Sequence, residues 1–144
     1  YSKRTPIYKA IQSHKDNPVD LMAYLITLPG LGIPKAGFVA QLLTGQVGCF
    51  DVWNMRDTKI IALLGIDPDK GIDKGLTKLN KKAKPATIAK KIVDYVEVCG
   101  KLGAEFLWNN WCATLAANYG KPLSYYPWKT AEQVSQFHVD VCIR

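Results

Sequence analysis

The sequence predicts an all-α domain on three observations. Apolar residues recur at helical spacing, proline and glycine punctuate the chain where helices would start and stop, and no stretch alternates with a strand period. Residues 1–16 are polar and basic and read as an arm or a short helix. Asn17–Pro18–Val19–Asp20 is the clearest start, with Asn as N-cap, proline at the first helical position and an acid near the positive end of the dipole. Leu21, Met22, Leu25 and Ile26 follow at helical spacing, and Leu28–Pro29–Gly30 ends the helix. A second helix is expected from about Pro34 to Leu43, with Ala36, Val39, Ala40 and Leu43 on one face. Thr44 to Gly48 reads as a turn, and Asp51 to Leu64 as one helix closed by Gly65. Leu76 and Leu79, three apart, place a short helix in a lysine-rich stretch. Pro85 opens a helix with the stripe Ile88, Ile92, Tyr95 or Val96, and Cys99, ending at Gly100 or Gly103. Residues 104–117 form another, with Leu107, Trp111 and Leu115 on its apolar stripe and Glu105 facing solvent in its first turn. Thr130 with Gln133 forms a capping box for a last helix to about Cys142.

At 144 residues, 48% hydrophobic and 22% charged, the chain has the balance of one globular domain and needs no metal or disulfide staple. Three regions are expected: the arm 1–16, a region 17–64 around a glycine-rich connection, and residues 65–144 with the basic segment and the C-terminal helices. The net charge of +7 is concentrated, because Lys70 to Lys91 holds eight lysines and one acid, Asp73, while the remaining charges cancel. Such a patch suits a polyanionic partner, against the plainer reading of a solvated face. Cys49, Cys99, Cys112 and Cys142 form no CxxC pair, and His14 and His138 stand at no ligand spacing, so no metal site is expected. Free, mostly buried thiols imply a reducing, intracellular compartment. Two prolines and five glycines cut the nearly uncharged stretch Leu21–Phe50 into pieces too short to span a bilayer, and no signal peptide is visible. The opening Tyr1 reads as the start of a processed product or an excised domain.

The most informative stretch is Leu28 to Phe38, LPGLGIPKAGF, between two short apolar helices. Gly30, Leu31 and Gly32 form a tight turn, in which glycine permits positive φ and close backbone approach. The N–H groups of such a turn and of the helix after it suit a DNA phosphate, although any glycine-rich corner between helices shares the spacing.

Here the chain resembles the helix-hairpin-helix (HhH-GPD) DNA glycosylase superfamily, in its endonuclease-III-like and adenine-glycosylase-like branches. The resemblance rests on LPGLG with Ala36, a loop Thr44–Phe50, the pair Phe50–Asp51, and Arg56 five residues on, and it covers Pro18 to about Leu64. It implies a catalytic role for Asp51: a carboxylate beside the sugar stabilises the oxocarbenium-like transition state of base–sugar cleavage and orients water. It also implies a hairpin that grips the backbone while the target nucleotide is turned out of the stack. Asp51 equally reads as an N-cap, and both roles coexist in the superfamily.

The departures shape the expectation. Pro34 stands where bifunctional members carry a nucleophilic lysine, and Lys35, one residue on, is expected on a different helical face, so hydrolysis without a lyase step fits better. Trp53 replaces a frequent histidine and is expected to pack as core or stack near the flipped base. The C-terminal cysteine loop for an iron–sulfur cluster is missing, so no cofactor is expected, and only 27 residues precede Leu28, fewer than the superfamily usually has. Trp108, Asn109, Tyr125 and Tyr126, with Asn110, Tyr119 and Trp128 nearby, form a base-pocket set, whereas Trp111 on the apolar stripe reads as core.

The expected partner is double-stranded DNA, bound by a monomer through Gly30, Leu31, Gly32, Lys35, Arg56, Lys78, Lys81 and Lys82, with Lys74 and Lys84 adding phosphate contacts. The resulting expectation is a monofunctional N-glycosylase acting on a damaged or modified base in repair, with Asp51 and Lys35 as the catalytic candidates. The alternatives are a non-catalytic DNA-binding module and a glycosylase-like transferase of DNA base hypermodification.

Overall fold

The computed structural model describes the backbone of residues 4–119 and the side chains of 6–114. Within them the order is α1 (Arg4–His14), α2 (Pro18–Leu25), α3 (Ile33–Thr44), α4 (Val52–Met55), α5 (Thr58–Leu63), a 3-10 turn (Lys74–Leu76), α6 (Pro85–Leu102) and α7 (Ala104–Tyr119). The described residues contain no strand, and the fold is all-α. The helix expected at 130–142 and the side chains of Tyr119, Tyr125, Tyr126 and Trp128 lie outside the described residues.

Local chemistry sets most boundaries. The Asn17 side chain accepts the Asp20 N–H at 3.1 Å, and Pro18 occupies the first turn of α2. Gly32 caps α3 without a side chain, Pro34 follows it, and Gly45 ends the helix in the left-handed conformation. Pro85 opens α6 and Gly103 closes it. The basic stretch between α5 and α6 holds only a single 3-10 turn in place of the expected short helix. Asp73 caps that turn by accepting the Gly75 N–H at 2.8 Å.

Residues 51–64, expected as one helix, form two. Asp57 accepts the N–H groups of Lys59 at 2.8 Å and Ile60 at 3.4 Å, so it starts α5 where an uninterrupted helix would have continued. A short side-chain carboxylate that competes for nearby backbone donors favours such a restart.

The main core lies where α2 packs on α3 and α6, and α6 on α7. Leu21, Met22 and Leu25 of α2 meet Ile33, Ala36 and Ala40 of α3 and Ile92, Tyr95 and Cys99 of α6. On α7 the buried set is Leu107, Trp108 and Cys112, which corrects the expected stripe through Trp111. Trp108 stacks on Phe38 with ring centroids 5.6 Å apart, and with Cys112 it forms a second small core. This leaves Trp111 half-buried at the rim, one turn further along α7.

Candidate active site

The loop from Gly45 to Asp51 joins α3 to α4, and buried polar groups hold it. Val47 takes a φ of 72°, a strained conformation for a β-branched residue that persists only where the surroundings fix it. The fixing groups come from the distant helix α6 and from α4, which follows the loop. The buried Tyr95 hydroxyl donates to the Gly48 carbonyl at 2.9 Å and accepts the Phe50 N–H at 2.8 Å. The buried Asn54 amide donates to the carbonyls of Cys49 at 2.7 Å and Leu107 at 3.3 Å. Asn110 of α7 donates to Asn54 Oδ1 at 2.9 Å and Asp57 Oδ2 at 3.2 Å, tying α4, α5 and α7 together.

Asp51 ends this clamped loop. Its Oδ1 accepts the N–H groups of Trp53 at 3.1 Å and Asn54 at 3.2 Å, and thereby caps α4. Its Oδ2 accepts the indole N–H of Trp111 at 3.0 Å. Three donors therefore fix the carboxylate at the edge of an open cavity of about 540 Å³, lined among the described residues by Gly30, Gly32, Pro34, Lys35, Phe38, Cys49, Asp51 and Trp111.

The cavity brings together Gly30, Gly32, Lys35 and Asp51. Lys35 belongs here despite the expectation that it would point elsewhere, because it lies in the first turn of α3, at the mouth of the helix. Trp111 also lines this cavity while it packs against the second core, a placement that no local spacing signals. The chain matches no family model, no curated protein and no solved structure.

Other expected site residues fall outside the lining. Trp108 is buried in the second core, which corrects its assignment to a base pocket: its ring face is covered by Phe38. Asn109 is half-buried with an unpaired buried Oδ1, and it does not line the cavity. Trp53 is half-buried on α4, Leu31 packs at the edge of the main core, and Arg56 is exposed at the end of α4. Lys78 and Lys82 are exposed on the basic segment, and Lys81 donates to the Leu28 carbonyl at 3.1 Å. Glu105 is exposed in the first turn of α7.

Cys49, Cys99 and Cys112 are free and buried, and no group of three or more His, Cys, Asp or Glu among the described residues is placed to hold a metal. Burial pushes the Cys99 thiol up to about 12 and the Cys112 thiol up to about 11. Cys49 is pushed up further, first by burial and then by the charge of Asp51, so it is not a thiolate nucleophile. The unfolded chain loses thiol protons above its ordinary value of about 8.5 while the native chain keeps them, so stability must fall as pH rises. Urea unfolding at increasing pH is expected to show stability flat to about pH 8 and falling by about 1 kcal/mol or more per pH unit above pH 9. A profile level to pH 10 would contradict these buried thiols.

Proposed function

We propose that this chain is a DNA-acting N-glycosylase that hydrolyses the base–sugar bond of a modified nucleotide, with Asp51 as the carboxylate beside the sugar. The observation that carries this reading is the shared cavity, which a donor-fixed carboxylate, Lys35 and a glycine turn line together. Positive charge develops on the sugar as the bond breaks, and an oriented carboxylate stabilises it without reorganising. The turn supplies the complementary grip. Gly30 adopts a φ of 82°, which a residue with a side chain resists, and its backbone borders the cavity. The first turn of α3 lacks a side-chain cap, so its N–H groups suit a phosphate at the cavity mouth. Trp111 and Phe38 line the cavity and would give a flipped base aromatic surface to rest against.

A second reading is favoured by one observation: both Asp51 oxygens are hydrogen-bonded inside the protein, as a purely structural cap would be. In that case the chain is a non-catalytic DNA-binding module. A screen of end-labelled duplexes separates the two, each duplex carrying one uracil, 5-modified pyrimidine, oxidised purine or alkylated purine, with alkali to reveal abasic sites. Strand breaks on one base class support the glycosylase. Duplex binding with no break on any base supports the module.

Gly32 offers a sharper test of the anion site. A Cβ added there meets nothing within 4 Å, so the fold tolerates a side chain. Gly32→Asp adds a cap and a charge that complements the dipole, and is expected to stabilise the fold by about 0.5 kcal/mol. The same carboxylate repels a phosphate, so duplex affinity is expected to fall while the melting temperature rises. Unchanged affinity in anisotropy titrations would remove the turn from the DNA-binding surface.

A further inference from the structure

Beyond the cavity, we propose that the lysine-rich segment 74–84 and the Leu28–Gly32 turn form one continuous surface for the backbone of double-stranded DNA, joined by Lys81 as a strut. This extends the glycosylase reading from the reaction centre to the flank of the duplex.

The segment has little regular structure, yet it is pinned. The half-buried Lys91 of α6 donates to the Gly75 carbonyl and, at 2.8 Å, to the Lys78 carbonyl, stapling the segment to the helix behind it. Asn80 folds the next turn, with its side chain accepting the Lys82 N–H at 3.0 Å and its carbonyl accepting the Ala83 N–H at 3.0 Å. Lys90 is occupied by Asp94 at 2.8 Å, which leaves Lys74, Lys78, Lys81, Lys82 and Lys84 as the exposed cations of this surface. A backbone fixed in this way holds its lysines in a defined array, unlike a flexible basic tail.

Lys81 decides where the array sits. Its ammonium donates to the Leu28 carbonyl at 3.1 Å, across 53 residues of sequence, and so seats the segment against the turn that borders the Asp51 cavity. An ammonium has three donors, and the Leu28 bond uses one. Two remain for a phosphate bridging the turn and the lysines.

The alternative polyanion, an anionic membrane surface, fits less well. Membrane-surface segments combine basic residues with exposed apolar ones that insert. The exposed large apolar residues described are Tyr8, Val52, Leu63 and Val93, none of them within 74–84.

Equilibrium binding tests this surface separately from catalysis, using the Asp51→Asn protein and duplex without a modified base, followed by anisotropy over a range of salt. Neutralising Lys74, Lys78, Lys82 and Lys84 together to glutamine is expected to shallow the slope of log affinity against log salt by about 0.9 for each phosphate that the protein no longer neutralises. A total change of about 2–4 is expected, and a thermal melt checks that the variant is folded. Lys81→Met is expected to weaken binding more than Lys82→Gln does, and Lys81→Arg, which keeps a donor for Leu28, is expected to restore it. An unchanged slope in the quadruple variant overturns the surface. Equal losses for Lys81→Met and Lys82→Gln overturn the strut. Binding to phosphatidylserine vesicles without binding to duplex overturns the choice of partner. The expected slopes together with no base release in the duplex screen would leave this surface standing and remove the glycosylase reading alone.

Discussion

Replacing Gly37 with alanine is expected to cost about 3 kcal/mol or more of stability and to dislodge the loop that carries Asp51. A Cβ at this position would stand 2.4 Å from the Gly48 carbonyl oxygen, 2.8 Å from the Tyr95 hydroxyl and 3.0 Å from Tyr95 Cε1. Two of these atoms belong to the hydrogen bond that clamps the loop, and the first is backbone that cannot swing aside. Relief requires either moving α3 from the loop or breaking the Tyr95 bonds to Gly48 and Phe50. The first repacks the core, and the second leaves buried polar groups unpaired at about 1–3 kcal/mol each. Gly100→Ala is the matched control. It lies within α6, its added Cβ meets nothing within 4 Å, and alanine should gain about 0.5–1 kcal/mol of helix propensity. Urea unfolding of both variants gives the comparison. A Gly37→Ala protein within about 1 kcal/mol of wild type would show that the loop is not packed as described.

Residues whose roles are local are readable from the sequence. Asn17 with Pro18, Pro34, Pro85 and Gly103 mark helix ends through chemistry within a few residues, and the helices begin or end where that chemistry predicts. The break at Asp57 is not readable, because an aspartate inside an apolar pattern serves as well on a helix surface as in a cap. What decides between them includes Asn110, which binds both Asp57 and Asn54 from 53 and 56 residues away.

The site divides along the same line. Asp51 and the glycine turn stand out through spacing, whereas the partner of Asp51 does not. Trp111 is 60 residues distant, and its i, i+4 relation to Leu107 suggests core. The helix turns so that Trp108 and Cys112 take the interior and Trp111 is left at the cavity rim. A tryptophan beside a buried neighbour carries no local mark of which ring faces a carboxylate. Lys35 lines the cavity together with Pro34, its neighbour in the first turn of α3, so helical-wheel position alone does not separate the two there.

Asp51→Asn separates a reacting carboxylate from one that merely caps a helix. Asparagine caps a helix about as well as aspartate, so α4 should hold. What changes is the charge facing the cavity, and the Nδ2 group now meets the Trp111 indole N–H that the carboxylate accepted. The decisive measurement is single-turnover base release by wild type and Asp51→Asn on the duplex that the screen selects, with duplex affinity measured in parallel. Duplex affinity no weaker than wild type is expected of the variant, with a release rate about 10²–10³-fold lower. Release at the wild-type rate by Asp51→Asn would contradict a reacting Asp51.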